Sequence, residues 1–122
     1  MLNPTNPTHV LIGRWQMIRA ELAGEVAPEL VTGRMILELG EGTYAVVYAG
    51  EASDSGEWEP GPAEGTMILN GRNGPNAGRR IPCLYQQVGD RLRVCYGLDG
   101  VAPVDFTTTG RAGRYSASYR RL

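Results

Sequence analysis

Apolar residues in this chain recur at every second position in short runs, and glycine or proline closes nearly every run. From Leu11 to Leu22 the alternation places Gly13, Trp15 and Met17 on one face, after which Ile18, Ala20 and Leu22 continue on the other parity. A period of two marks a half-buried strand. A parity change within one strand predicts a bulge or sharp bend, the device by which barrels turn corners. Met35, Leu37 and Leu39 alternate with Arg34, Ile36 and Glu38, and after Gly40-Glu41-Gly42 the residues Tyr44, Val46 and Tyr48 share one face of the next strand. Residues 50–56 are small and acidic and read as a surface turn. Residues 56–60 read as a short strand stopped by Pro60, whose missing N–H ends a ladder. Thr66 to Asn70 follows with Met67 and Leu69 inward, and Ile81 to Val88 and Leu92 to Tyr96 flank a two-residue Gly89-Asp90 turn as the clearest hairpin. Val104 to Thr109 is a weaker strand. The last strand runs from Tyr115 to Arg121, with Tyr115, Ala117, Tyr119 and Arg121 in phase.

Pro28 can open a helical turn between the first two strands, but the segment is too short for more than about one or two turns. Left open, a sheet of about eight short strands would expose two ladders of unpaired backbone groups, and pairing the first strand with the last removes both. The pattern therefore predicts an all-β fold: a single antiparallel up-and-down β-barrel of about eight strands over residues 11–122, with a short helical turn between strands one and two. The two Asn-Pro pairs of the first seven residues predict an extended arm over residues 1–10.

Composition narrows the function. The 122 residues suit one domain, and twelve basic against thirteen acidic residues give a net charge of −1, which excludes a general nucleic-acid or polyanion binder. No run approaches the ~18 apolar residues of a membrane helix, and Met1 to Pro7 lacks the basic end and apolar stretch of a secretory signal. A cytoplasmic location is expected, with export only if a signal has been removed. Around the Gly89-Asp90 turn Val88 faces Arg91, Tyr85 faces Val94 and Cys83 faces Tyr96. Alternation then puts Cys83 and Cys95 on opposite faces, and free thiols are expected rather than a disulfide.

Leu11-x-Gly13-x-Trp15 resembles the opening motif of small bacterial lipocalin-like domains. Gly71-x-x-Gly74-Pro75-Asn76-x-Gly78, then Tyr85, Gly89-Asp90-x-Leu92, Cys95-Tyr96, Pro103-Val104-Asp105-Phe106 and a terminal arginine, resembles the planctomycete-type lipocalin-like domain over nearly the whole chain. The resemblance implies an eight-stranded antiparallel, calycin-like barrel and brings no catalytic residues. It further implies a plug in which Trp15 packs across the barrel floor beside Gly13 and under Arg121, with Arg120 the lesser candidate. Ser116 and Ser118 stand where such domains usually carry bulky apolar residues.

No catalytic constellation emerges. His9 is the only histidine and lies in the expected arm, without the spacing of a metal site or a triad. The loop over residues 71–78 lacks the lysine and hydroxyl residue of a P-loop; Arg72, Arg79 and Arg80 can draw an anion with its backbone N–H groups, but the rim loop, with Asn73 and Asn76, reads first as a turn-rich hairpin connection. Glu57 and Glu59 share a strand face and read as solvated charges rather than an acid–base pair. The remaining candidate is the interior, where Met35, Tyr44, Tyr48, Met67, Tyr85, Tyr96 and Tyr119 are the expected lining of an apolar cavity with polar tips. The expected function is non-enzymatic binding of a small apolar ligand, without cofactor or metal, by a monomer or weak dimer. The alternative is a protein-interaction module with a packed core, using rim loops 71–78 and 97–103.

Overall fold

Ten of the seventeen glycines have positive φ, and all of these but Gly13, which starts a strand, lie in the turns between elements. The computed structural model describes residues 10–122, so all but the last residue of the expected arm, His9 included, lie outside the described residues. The strands are β1 (Gly13–Leu22), β2 (Glu25–Val26), β3 (Met35–Leu39), β4 (Thr43–Tyr48), β5 (Glu51–Pro60), β6 (Thr66–Asn73), β7 (Arg80–Val88), β8 (Arg91–Gly97) and β9 (Arg114–Arg121), with one short helix, α1 (Glu29–Thr32). From β3 onward each strand pairs antiparallel with the next, and β1 pairs with both β3 and β9. Eight strands thus close an up-and-down barrel, β1 pairing with both its first and its last neighbour.

The parity change in β1 is a bulge between Met17 and Arg19. It lets Trp15 and Met17 before it, and Ala20 after it, all bury their side chains. Beyond Gln16, β1 leaves β3 and pairs instead with the two-residue β2 across an Ala23-Gly24 turn, in which both residues have positive φ. Such a turn twists with the strands it joins. The gap that opens between β1 and β3 is closed by α1, whose start at Pro28 has an extended ψ of 145°. The side-chain amide of Gln16 donates into this seam, towards the carbonyls of Met17, Thr32, Gly33 and Met35 at 3.0–3.3 Å.

One end of the barrel is sealed. Trp15 is wholly buried, its indole N–H donates to Leu11 O at 2.9 Å, and the Arg121 guanidinium stacks 4.2 Å from the ring. Arg121 also donates to Ile12 O at 2.9 Å and to Val10 O, so one side chain covers the indole and ties down the incoming chain. Gly13 has φ +145, and a Cβ there would lie 2.7 Å from Arg121 Nη1. Trp58, donating to Gly40 O at 2.9 Å, packs beside this floor with Met67.

Three expectations fail on local geometry. Residues 50–56 are not a surface turn. Only Ala49-Gly50 turns, and β5 runs from Glu51 with a register shift against each neighbour, its Asp54 and Trp58 buried. The strand at 66–70 continues to Asn73, so the rim loop is shorter than expected. Residues 104–109 are not a strand, because the stretch between β8 and β9 lies over the outer face of those strands. There Arg93 stacks 3.8 Å from the Phe106 ring, and the buried Arg114 bonds Asp99 at 2.6 Å. The hairpin register is the expected one, Cys83 facing Tyr96 and Tyr85 facing Val94. Cys83 lies in the barrel core, Cys95 is buried outside that core, and both are free. Ser116 and Ser118 take the parity opposite to the inward Ala117 and Tyr119, so they need no bulk.

Trp15→Ala should cost about 3–5 kcal/mol in urea unfolding, as a large cavity at the sealed end. Arg121→Met, which keeps the aliphatic stem, should cost about 1–3 kcal/mol through the lost cation–π contact and backbone hydrogen bonds.

Candidate functional site

At the end opposite Trp15 the barrel is hollow. A cavity of about 180 Å³ is walled by Met17 of β1, Met35 and Leu37 of β3, Tyr44 and Val46 of β4, Leu69 of β6, Ile81 of β7, Tyr96 of β8, and Tyr115 and Tyr119 of β9. These positions face inward because each strand alternates and the sheet is closed, so every second residue has nowhere else to go. Asp54 of β5, together with Asn76 and Leu98 from the two rim loops, completes the wall. Loops 71–78 and 97–103 therefore meet at one mouth, where Arg79 donates to Asn76 Oδ1 at 3.0 Å and to Leu98 O, joining them.

Of the residues expected to line the interior, Met35, Tyr44, Tyr96 and Tyr119 do so. Tyr48 has the right parity but ends its strand at the rim, 37% exposed, and does not reach the cavity. Met67 and Tyr85 point inward near the sealed end, where they pack into or against the solid core. Alternation sets which side chains point inward but not how far along the axis each one sits. The barrel's lower half is filled by two tryptophans, and only the upper half is hollow.

Sequence reasoning missed Tyr115, Leu69 and Ile81 as wall residues, and it missed the charged one, Asp54, because an acidic, small-residue stretch reads as solvent-facing. Asp54 is only 9% exposed. Its Oδ2 accepts from Asn76 Nδ2 at 3.0 Å and from the Tyr44 hydroxyl at 3.3 Å, and its Oδ1 accepts from the Asn76 backbone N–H at 3.4 Å. The glycine spacing around Asn76 explains how the loop reaches inward. A Cβ on Gly71 would collide with Asn76 O, and one on Gly74, at φ +91, would strike Ser53 O and Asp54. The loop can fold over Asp54 only with glycine at both positions.

Across the cavity the Tyr96 and Tyr119 hydroxyls bond each other at 2.7 Å, the Tyr96 and Tyr115 rings lie 5.3 Å apart, and the Tyr115 hydroxyl meets Met17 Sδ at 3.9 Å. Burial pushes Tyr96 and Tyr119 up, and it pushes the Cys83 thiol up, so that thiol stays protonated. Tyr44 rises from 10.0 to about 12 through burial, the Asp54 charge and its hydrogen bond to Asp54.

The rim arginines do not form an anion cradle. Arg72 pairs with Glu57 at 2.5 Å and Arg80 with Glu59 at 3.4 Å on the outer surface, so those glutamates are surface ion-pair partners. Asn73 Nδ2 turns back to Ser55 at 3.4 Å. Among the described residues no group of three histidine, cysteine or acidic side chains could hold a metal, and no helix is long and apolar enough to cross a membrane. No family model, curated protein or solved structure matches the chain.

The raised tyrosines tie stability to alkaline pH with a definite sign. Because folded Tyr44 holds its proton more tightly than the unfolded chain, its contribution is complete below pH 10.0 and is lost as pH rises towards about 12. Stability in urea, followed by far-UV circular dichroism, should fall across that window, and Tyr44→Phe should lessen the fall. Phenolate formation at Tyr44 well before the fold is lost would show that the hydroxyl is not held as described.

Proposed function

We propose that this chain is a non-enzymatic barrel that binds a small, largely apolar molecule inside its open end, in keeping with the lipocalin-like domains its motifs resemble. The observation that carries this reading is the cavity. A well-packed core leaves few voids larger than a water molecule, whereas here about 180 Å³ lies between largely apolar walls at a mouth formed by two loops. An engineered apolar cavity of about 150 Å³ accepts benzene, so the volume suits an apolar body of about six to eight non-hydrogen atoms. The buried free thiols suit a reducing compartment such as the cytoplasm.

The alternative, a protein-interaction module, draws on Val101, which is exposed in one of the two loops that meet at the mouth. It requires no cavity and therefore leaves the hollow unexplained. The two readings part in one experiment. Titration calorimetry with toluene, benzyl alcohol and indole should show one-to-one binding with Kd between about 10 µM and 1 mM. Val46→Trp, which fills the cavity from its wall, should abolish that binding while the far-UV spectrum is kept. A wild-type protein that binds none of the three would remove the carrier reading and favour the rim loops.

A further inference from the structure

We propose that the ligand carries a primary ammonium group, seated against Asp54, on a small apolar or aromatic body. The inference rests on the carrier reading and adds to it the chemistry of the ligand's polar end.

Asp54 is buried in the cavity wall, yet it has no cationic partner among the described residues. Every ion pair lies elsewhere: Arg14–Glu38, Arg19–Glu21, Arg72–Glu57, Arg80–Glu59, Arg91–Asp90 and Arg114–Asp99. Its three hydrogen bonds come from neutral donors, two from Asn76 and one from Tyr44, at 3.0–3.4 Å. Those donors orient the carboxylate without neutralising it. A carboxylate offers about four acceptor positions, so one is left.

The guanidinium nearest in this network, on Arg79, is spent on Asn76 Oδ1 and Leu98 O. It bonds the far side of the Asn76 amide and not the carboxylate. A buried, unpaired charge is costly unless a counter-charge joins it, and the cavity is where a counter-charge can arrive.

The other walls agree. The aromatic rings lining the cavity belong to Tyr44, Tyr96, Tyr115 and Tyr119, and tyrosine faces attract an ammonium group. Of the Tyr96 and Tyr119 hydroxyls one donates to the other, which leaves a single O–H between them and no charge. A carboxylate ligand would instead meet the Asp54 charge at close range with no cation to screen it.

The test compares three probes of nearly one shape, benzylamine, benzyl alcohol and benzoate, by calorimetry at pH 7 against wild-type protein and Asp54→Asn. Wild type should bind benzylamine about 10- to 100-fold more tightly than benzyl alcohol, by the strength of a charge-assisted hydrogen bond, and benzoate most weakly. Benzyl alcohol should displace benzylamine. Asp54→Asn should keep benzyl alcohol binding and lose the preference for the amine.

Benzyl alcohol or benzoate binding as tightly as the amine would overturn the ammonium assignment and leave the carrier reading standing. An amine preference that survives Asp54→Asn would overturn the role of Asp54. Binding of none of the three would overturn both readings. Should Asp54→Asn fail to fold, the wild-type ranking alone decides, and Tyr44→Phe, which removes only a neutral donor to Asp54, should retain the amine preference.

Discussion

Closure of β1 against β9 is the constraint on which everything else rests. Both strands carry the residues that make closure permanent, Trp15 near the start of one and Arg121 at the end of the other, and the two are paired in register. The indole is wholly buried in the floor. The guanidinium covers it and bonds the carbonyls of Val10 and Ile12. Were this seam open, the inward parity of every strand would lose its meaning, because a sheet encloses nothing until its edges meet.

Closure divides the molecule along its axis. Near the floor, Trp15, Trp58, Leu11 and Met67 leave no room. Near the mouth the inward side chains are tyrosines, methionines and aliphatics spaced around a hollow. Packing at one end therefore fixes the shape, and the other end is free to hold something. The buried polar groups sort in the same way. Both tryptophan N–H groups near the floor find carbonyls, while the Asp54 carboxylate at the mouth finds only neutral donors.

Much of this was legible in the chain. Alternation gave most of the strands, though not the first half of β5 and wrongly one at residues 104–109; it also gave the inward face of β9, and the parity change in β1 gave its bulge. The two-residue turn after Val88 gave the register that separates Cys83 from Cys95. What alternation could not convey was position along the axis. Met67 and Met35 share an inward orientation, yet one is packed solid and the other faces a hollow. Asp54 escaped notice for a different reason. Short-range composition around it, Glu51 to Gly56, is that of a solvent turn, and only the pairing of β5 with β4 and β6 turns it inward. The glycines of the 71–78 loop were visible, but their purpose, clearance for Asn76 and Asp54, exists only once the two strands lie side by side.

The two cysteines lend the fold an internal clock with two hands. Cys83 is enclosed by the barrel wall, so a thiol reagent reaches it only when strands part. Cys95 lies outside the core on strands overlaid by the segment from Leu98 to Gly113, held there by the Arg114–Asp99 and Arg93–Phe106 contacts. Lifting that flap would uncover one thiol and leave the other sealed. The unequal ages at which the two sulfurs become labelled would then read out a surface breathing motion separately from the opening of the barrel itself.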